Sequence, residues 1–180
     1  MKKNNKKEMV VLYNSKNEKI EGYYNRYQFP KDKGFYYAVN IWLITNTKKI
    51  IIQKRSSNKQ IYPNKFECIA GGVVEDESVL NACVREAKEE LGINLNENDL
   101  IKIDLFLDRD YSYFMHTFIC FVNESITKDI KINFEEISEI KVVSFHELNE
   151  MIDQNLFADS IKKRFQNYKK IIETKIDEQK

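Results

Sequence analysis

The sequence predicts a mixed α/β domain in which a β-sheet is held between helices. Three stretches carry that reading. Tyr36 to Thr45 (YYAVNIWLIT) is near-continuously apolar and rich in strand formers, as a buried strand requires. Leu80, Val84, Ala87 and Leu91 recur at helical spacing in mid-chain. Phe157, Ile161, Phe165, Tyr168 and Ile172 do the same near the end. Strands on both sides of a central helix, with helices closing the chain, suggest a mixed sheet between helical layers.

Taken in order, Met1 to Glu8 reads as a disordered basic tail, and residues 9–180 as one domain. Met9 to Tyr13 is a short apolar strand, Asn14 to Asn17 has turn chemistry, and Ile20 to Tyr27 returns as a hairpin partner. Pro30 to Gly34 breaks the pattern before the buried strand. Ile50 to Lys54 pairs back on that strand as a hairpin. Arg55 to Asn64 is a polar, basic loop. Phe66 to Ala70 runs into Gly71-Gly72, and a helix begins near Ser78 and stops at Gly92. Ile101 to Leu107 and Tyr113 to Val122 read as two joined strands, and Ile140 to Val143 as the last. Ser144 with Glu147 forms a capping-box pattern for a helix over Phe145 to Asp153, and a C-terminal helix spans about 157–176.

Bulk properties exclude several classes. Twenty-nine basic and 28 acidic residues leave a net charge of +1, so no field argues for a nucleic-acid polymer or an anionic membrane. Cys68, Cys83 and Cys120 are too few and scattered for a disulfide framework or a zinc site, and reduced thiols suit a cytoplasmic protein. No apolar run follows the basic N-terminus, so no signal peptide is predicted. No run approaches a membrane span.

The chemistry concentrates in Gly71 to Ile93 (GGVVEDESVLNACVREAKEELGI). Glu86, Glu89 and Glu90 stand at i, i+3 and i+4, which puts three carboxylates on one helical face. Like charges at that spacing cost about 0.2–0.5 kcal/mol per pair, so a helix built only for solubility would alternate signs. Crowded carboxylate oxygens suit a hard cation such as Mg²⁺ or Mn²⁺. The apolar stripe would pack on the sheet and leave the acidic face at a cleft rim. Gly71 and Gly72 let the backbone turn tightly there. Arg85 can reach Glu89 or fold back to Glu77. Arg55 and Lys59 offer cations for phosphate oxygens beside this helix.

The stretch resembles the signature of the Nudix hydrolases, G-x5-E-x7-R-E-U-x-E-E-x-G-U, where U is apolar. Gly71, Glu77, Arg85, Glu86, Glu89, Glu90, Gly92 and Ile93 match it, with Ala87 small but apolar at the first U. The resemblance implies the α/β/α sandwich of that family. It implies a metal-dependent hydrolase cleaving the diphosphate linkage of a nucleoside diphosphate derivative or related organic pyrophosphate. Glu86, Glu89 and Glu90 would ligate Mg²⁺ or Mn²⁺, with the Gly71 carbonyl a further ligand. Glu77 would orient Arg85, and Arg85 would hold the glutamates. Some members take a general base from a later loop, which nominates Glu136 and Glu139 ahead of the last strand. The expected partner is a small-molecule diphosphate, with the chain a monomer or homodimer.

Residues from about Glu18 to Ser144 also resemble the branch nearest the isopentenyl-diphosphate isomerases. Arg55 and Lys59 match its basic pair, which implies a grip on the substrate diphosphate, and Tyr62-Pro63 matches its aromatic-proline step. The isomerase activity does not carry over, because the catalytic cysteine of that branch falls at Gly71. Cys68 lies three residues early and reads as a packed small hydrophobe. His116 and His146 read as satisfied structural histidines. Two alternatives to a hydrolase stand beside it: a catalytically silent binding or regulatory module on the same fold, and an isomerase-like enzyme.

Overall fold

A computed structural model describes residues 8–75 and 77–179. Of the predicted basic tail, all but Glu8 lies outside them. Its first element is a separate two-stranded hairpin, β1 (Met9–Tyr13) and β2 (Lys19–Asn25), turned at Asn17 with a positive φ of 67°. Val10 and Leu12 bury against Tyr36, Ala38, Tyr113 and Met115, and a bridge from Tyr13 to Phe35 ties the hairpin to the body.

The main sheet is mixed and has seven strands. At its centre β3 (Tyr36–Thr45) runs parallel to β8 (Tyr113–Val122) along its whole length, and β7 (Leu100–Asp108) lies antiparallel outside β8. The other edge of β3 is divided. It meets β4 (Lys49–Arg55) only at Leu43 with Ile51 and Ile44 with Ile50. The two strands then part. β6 (Ile69–Gly72) takes over the edge of β3, and the two-residue β5 (Phe66–Glu67) takes that of β4. β9 (Ile137–Ser144) covers the far side of β4.

α1 (Val79–Leu91) lies across one face of this fork. Ser78 caps it, accepting from the Asn81 amide, and Gly92 ends it with φ 70°, a left-handed geometry that favours glycine. On the opposite face lie α2 (Phe145–Asp153), opened by the Ser144–Glu147 capping box, and α3 (Asp159–Asp177). The α/β/α layering predicted from the sequence is therefore the one observed. Two details differ. Phe157 precedes α3 rather than belonging to it, because its backbone bridges to Phe66 while Ala158 caps the helix. The buried stripe of α1 matches the predicted one only in part, at Ala87 and Leu91. Leu80 and Val84 are half-buried, whereas Cys83, Glu86, Ala87, Glu90 and Leu91 are buried at i, i+3, i+4, i+7 and i+8. No helix of the described residues is long and apolar enough to cross a membrane.

Candidate active site

The fork between β3 and β4 positions the site. β4 alternates Ile51, Gln53 and Arg55 onto the α1 face, with β5 setting Glu67 opposite Gln53. β6 brings Ala70 and Gly71 up from the other branch. α1 then lays two glutamates into the gap. Glu90 is 4% exposed and accepts from Gln53 Nε2 at 2.7 Å and from the Ala70 amide at 3.3 Å. Glu86 packs so closely on Gly71 that a Cβ there would fall inside its carboxyl group. Glycine at 71 is thus required by the carboxylate rather than by a turn.

The three glutamates stand on one side of α1, as i, i+3 and i+4 spacing requires, but lie at different depths. Glu89 points to solvent with its side chain 54% exposed, while Glu86 and Glu90 turn inward. The physical reason is the row they follow: Cys83, Ala87 and Leu91 face the sheet, and Glu86 and Glu90 flank that row. A third buried carboxylate, Glu67, joins them. Sequence reasoning missed both Glu67 and Gln53. Their only signal was polarity within strand-like runs, at GlnLys after three isoleucines and at Glu between Phe66 and Cys68.

Arg85 organises the Gly72 end. Its Nε and Nη2 donate to both oxygens of Glu77, at 2.8 and 2.9 Å. Its Nη1 donates to Glu86 at 2.8 Å and to Glu89 at 3.2 Å, and Nη2 also reaches the Gly72 carbonyl at 2.7 Å. Glu77 accepts in addition from the Val74 amide at 3.2 Å, which fixes the loop before α1.

Electrostatics follow from burial. Burial pushes Glu86 up to about 7 against the pull of Arg85. It pushes Glu90 well above the carboxylate range, and the charges of Glu67 and Glu86 push it further. Glu67 is raised by burial too, opposed by Arg55.

The basic loop is brought alongside, with its cations engaged. Arg55 donates from Nη1 to Glu67 at 2.6 Å and from Nε to the Ile61 carbonyl at 2.9 Å. Lys59 pairs with Glu136, and the Ser56 amide donates to the Glu136 carbonyl, so Glu136 stands by this loop. Glu139 does not join the site. It sits beside Lys54 on the sheet face opposite Gln53, in ion pairs with Lys54 and Lys141 at 3.8 and 3.6 Å. Strand alternation puts it there.

His116 also departs from expectation. It is buried on β8 against Tyr37, its Nε2 has no hydrogen-bond partner among the described residues, and burial lowers its pKa to about 4. His146 is exposed on α2 beside Glu150. Cys68 is fully buried and free, as predicted for a packed small residue.

Among the described residues no three His, Cys, Asp or Glu side chains converge as a ready cation cage. The donor set nevertheless fits a divalent ion. Hard carboxylate oxygens of Glu86 and Glu90 are buried with their charge only partly offset, and burial without a cation is costly.

Comparison with known proteins gives concordant results. The family described as NUDIX domain matches residues 34–165. A prenyl-diphosphate phosphatase of Methanosarcina mazei is 30% identical over 128 residues, spanning 71% of this chain and 74% of that protein. A Deinococcus radiodurans crystal structure superposes with a TM-score of 0.68 at 22% identity, over 84% of this chain and 92% of that one. The NUDIX domain of Shewanella oneidensis NrtR, solved with ADP ribose, superposes with a TM-score of 0.60 at 15% identity, over 80% of this chain and 94% of that one.

Proposed function

This chain belongs to the NUDIX domain family, and from that premise we propose that it is a metal-dependent hydrolase. It would cleave the diphosphate linkage of a nucleoside diphosphate derivative or a related organic diphosphate. The observation that carries the reading is the pair of buried carboxylates, Glu86 and Glu90, held in the fork by Arg85, Gln53 and the Ala70 amide. A silent binding module has no use for charges at core positions of a helix, where each costs stability. The archaeal relative's name supports a diphosphate ester as substrate.

In this reading Glu86, Glu89 and Glu90 would hold Mg²⁺ or Mn²⁺, with the Gly71 carbonyl as a further ligand. When bound, the ion supplies Lewis-acid polarisation of phosphoryl oxygens and an acidified water. The protein's own groups do the rest. Arg85, fixed by Glu77, sets the direction of the Glu86 carboxylate. Gln53 does the same for Glu90. Arg55 and Lys59 exchange their present carboxylate partners for phosphate oxygens of the substrate. Water adds to one phosphorus, the bridging P–O bond breaks, and the departing phosphate carries the bond's electron pair. The water's proton passes to a carboxylate, for which Glu89 and Glu136 are the candidates. The three free thiols suit a cytoplasmic setting. An isomerase reading has no support at Gly71, and Cys68 is sealed from any substrate.

A phosphate and pyrophosphate release screen tests the reading. It covers nucleoside triphosphates, dinucleoside polyphosphates, nucleotide sugars and prenyl diphosphates with Mg²⁺ or Mn²⁺. One class should turn over, and Glu89→Gln should abolish that turnover with no loss of fold, since Glu89 is exposed. An active Glu89→Gln variant would remove Glu89 from the mechanism. Silence of folded, metal-binding wild type across the panel would favour the binding module.

A further inference from the structure

We infer that Arg26 is a phosphate-contacting residue of this site, delivered by the N-terminal hairpin. The inference rests on the diphosphate reading above. Arg26 follows β2 directly and lies outside the matched residues 34–165. It nevertheless reaches the start of the acidic row. A Cβ on Gly72 would come within 2.8 Å of its Nη1 and 2.9 Å of its Cζ, so the guanidinium lies over the Gly72 backbone. The carbonyl of the same residue accepts from Arg85. Two guanidinium groups therefore flank Gly72, while the Glu86 carboxylate lies on Gly71. Arg26 is among the cations whose field reaches Glu86.

Of these two guanidinium groups, Arg26 has donors to give. Arg85 spends its fork on Glu77, Glu86, Glu89 and Gly72. The Arg26 side chain makes one hydrogen bond among the described residues, from Nη1 to Glu8 at 2.7 Å, out of five N–H donors. The rings of Tyr27 and Tyr36, at 5.6 and 5.4 Å, hold its plane without using those donors. Its side chain keeps 22% of its surface exposed, so a ligand can reach it. At the other end of the row, Arg55 sits on Glu67. The buried carboxylates are thus bracketed by Arg55 on one side and Arg26 on the other. That arrangement suits a ligand with anionic oxygens at two ends, which a diphosphate has.

The competing role is a staple, in which Arg26 only ties Glu8 and the hairpin to the body. Calorimetric titration of methylenediphosphonate, a non-hydrolysable diphosphate, into the Mg²⁺-loaded protein separates the two. Arg26→Ala should weaken binding by about tenfold or more, the loss of a charge-assisted contact. Arg26→Lys should recover part of it, keeping the charge but not the fork. Gly72→Ala should also weaken binding by displacing the guanidinium, and the fold should tolerate it because the atoms in the way end a flexible side chain. It carries the test if Arg26→Ala does not fold. Glu8→Gln cuts the charge of the staple and should keep wild-type affinity. Unchanged affinity in Arg26→Ala, or an equal loss in Glu8→Gln, overturns the assignment alone. Wild-type protein that binds no methylenediphosphonate overturns the diphosphate reading and takes the assignment with it.

Discussion

Under α3 the sheet is covered by rings. Trp42, Phe157, Phe165 and Tyr168 pack with centroids 5.6 to 6.4 Å apart and almost no exposure. Under α1, at similar depth, the fork holds Glu67, Glu86 and Glu90. One face draws its stability mainly from apolar burial and close packing, with the Arg164 guanidinium of α3 buried there on the Tyr113 hydroxyl at 2.8 Å. The other places charge where burial penalises it, and holds that charge with a few directed hydrogen bonds. The difference teaches which half of the molecule is scaffold and which half is kept strained for a ligand.

The comparison can be broken first on the packed side. Phe165→Ala should cost about 3–5 kcal/mol of stability, the usual cost of emptying an aromatic core site, as measured by denaturant unfolding. Turnover per folded molecule should stay at the wild-type level. A loss of turnover without a loss of stability would mean the two faces are not separate in role.

On the charged side the sign reverses with pH. Glu86 is raised from 4.5 to about 7, so the folded chain keeps a proton that the unfolded chain releases. The contribution of Glu86 to the stability of the metal-free protein is then fully present below about pH 4.5 and is lost as pH rises through about 7, on the order of 3 kcal/mol, while His116, lowered to about 4, acts in the opposite sense over the lower part of that window. Glu67 and Glu90, raised by the same burial, act in the same direction as Glu86. Melting curves in chelator for wild type and Glu86→Gln, compared at each pH so that His116 cancels, should show this fall as their difference, and added Mg²⁺ should flatten it. A difference that is level across the window would show that the charge is not strained.

The smallest effect comes from removing one buried charge while keeping its shape. Glu90→Gln keeps an acceptor for Gln53 Nε2, and its new amide can donate to Gln53 Oε1, which has no partner among the described residues. The variant should gain about 1–2 kcal/mol in unfolding experiments while losing turnover. A destabilised variant would mean that Glu90 is already well compensated in the absence of metal.

Legibility in the sequence followed the range of the interactions. β3, α1 and α2 were readable almost to the residue, because apolar period, the Ser78 and Ser144 caps and Gly92 are local signals. So were the Arg85 contacts to Glu77 and Glu89, which span less than three helical turns. The inward turn of Glu86 and Glu90 was present in the spacing of Cys83, Ala87 and Leu91, but the competing Leu80–Val84 stripe obscured it. Glu67, Gln53 and Arg26 were not readable. They enter the site only because β3 and β4 part and the hairpin folds over, and both depend on pairings between distant segments.

Among the described residues the hairpin's backbone meets the body at the bridge from Tyr13 to Phe35 and where the Glu75 amide donates to the Met9 carbonyl at 2.8 Å, and otherwise it rests on side-chain contacts. It is a cassette. The acidic row is assembled from residues between Gln53 and Glu90 and owes nothing to it covalently. Exchanging residues 9–26 between relatives is therefore a route to altered ligand preference on an unaltered hydrolytic chassis, with Arg26 as the part most worth carrying across.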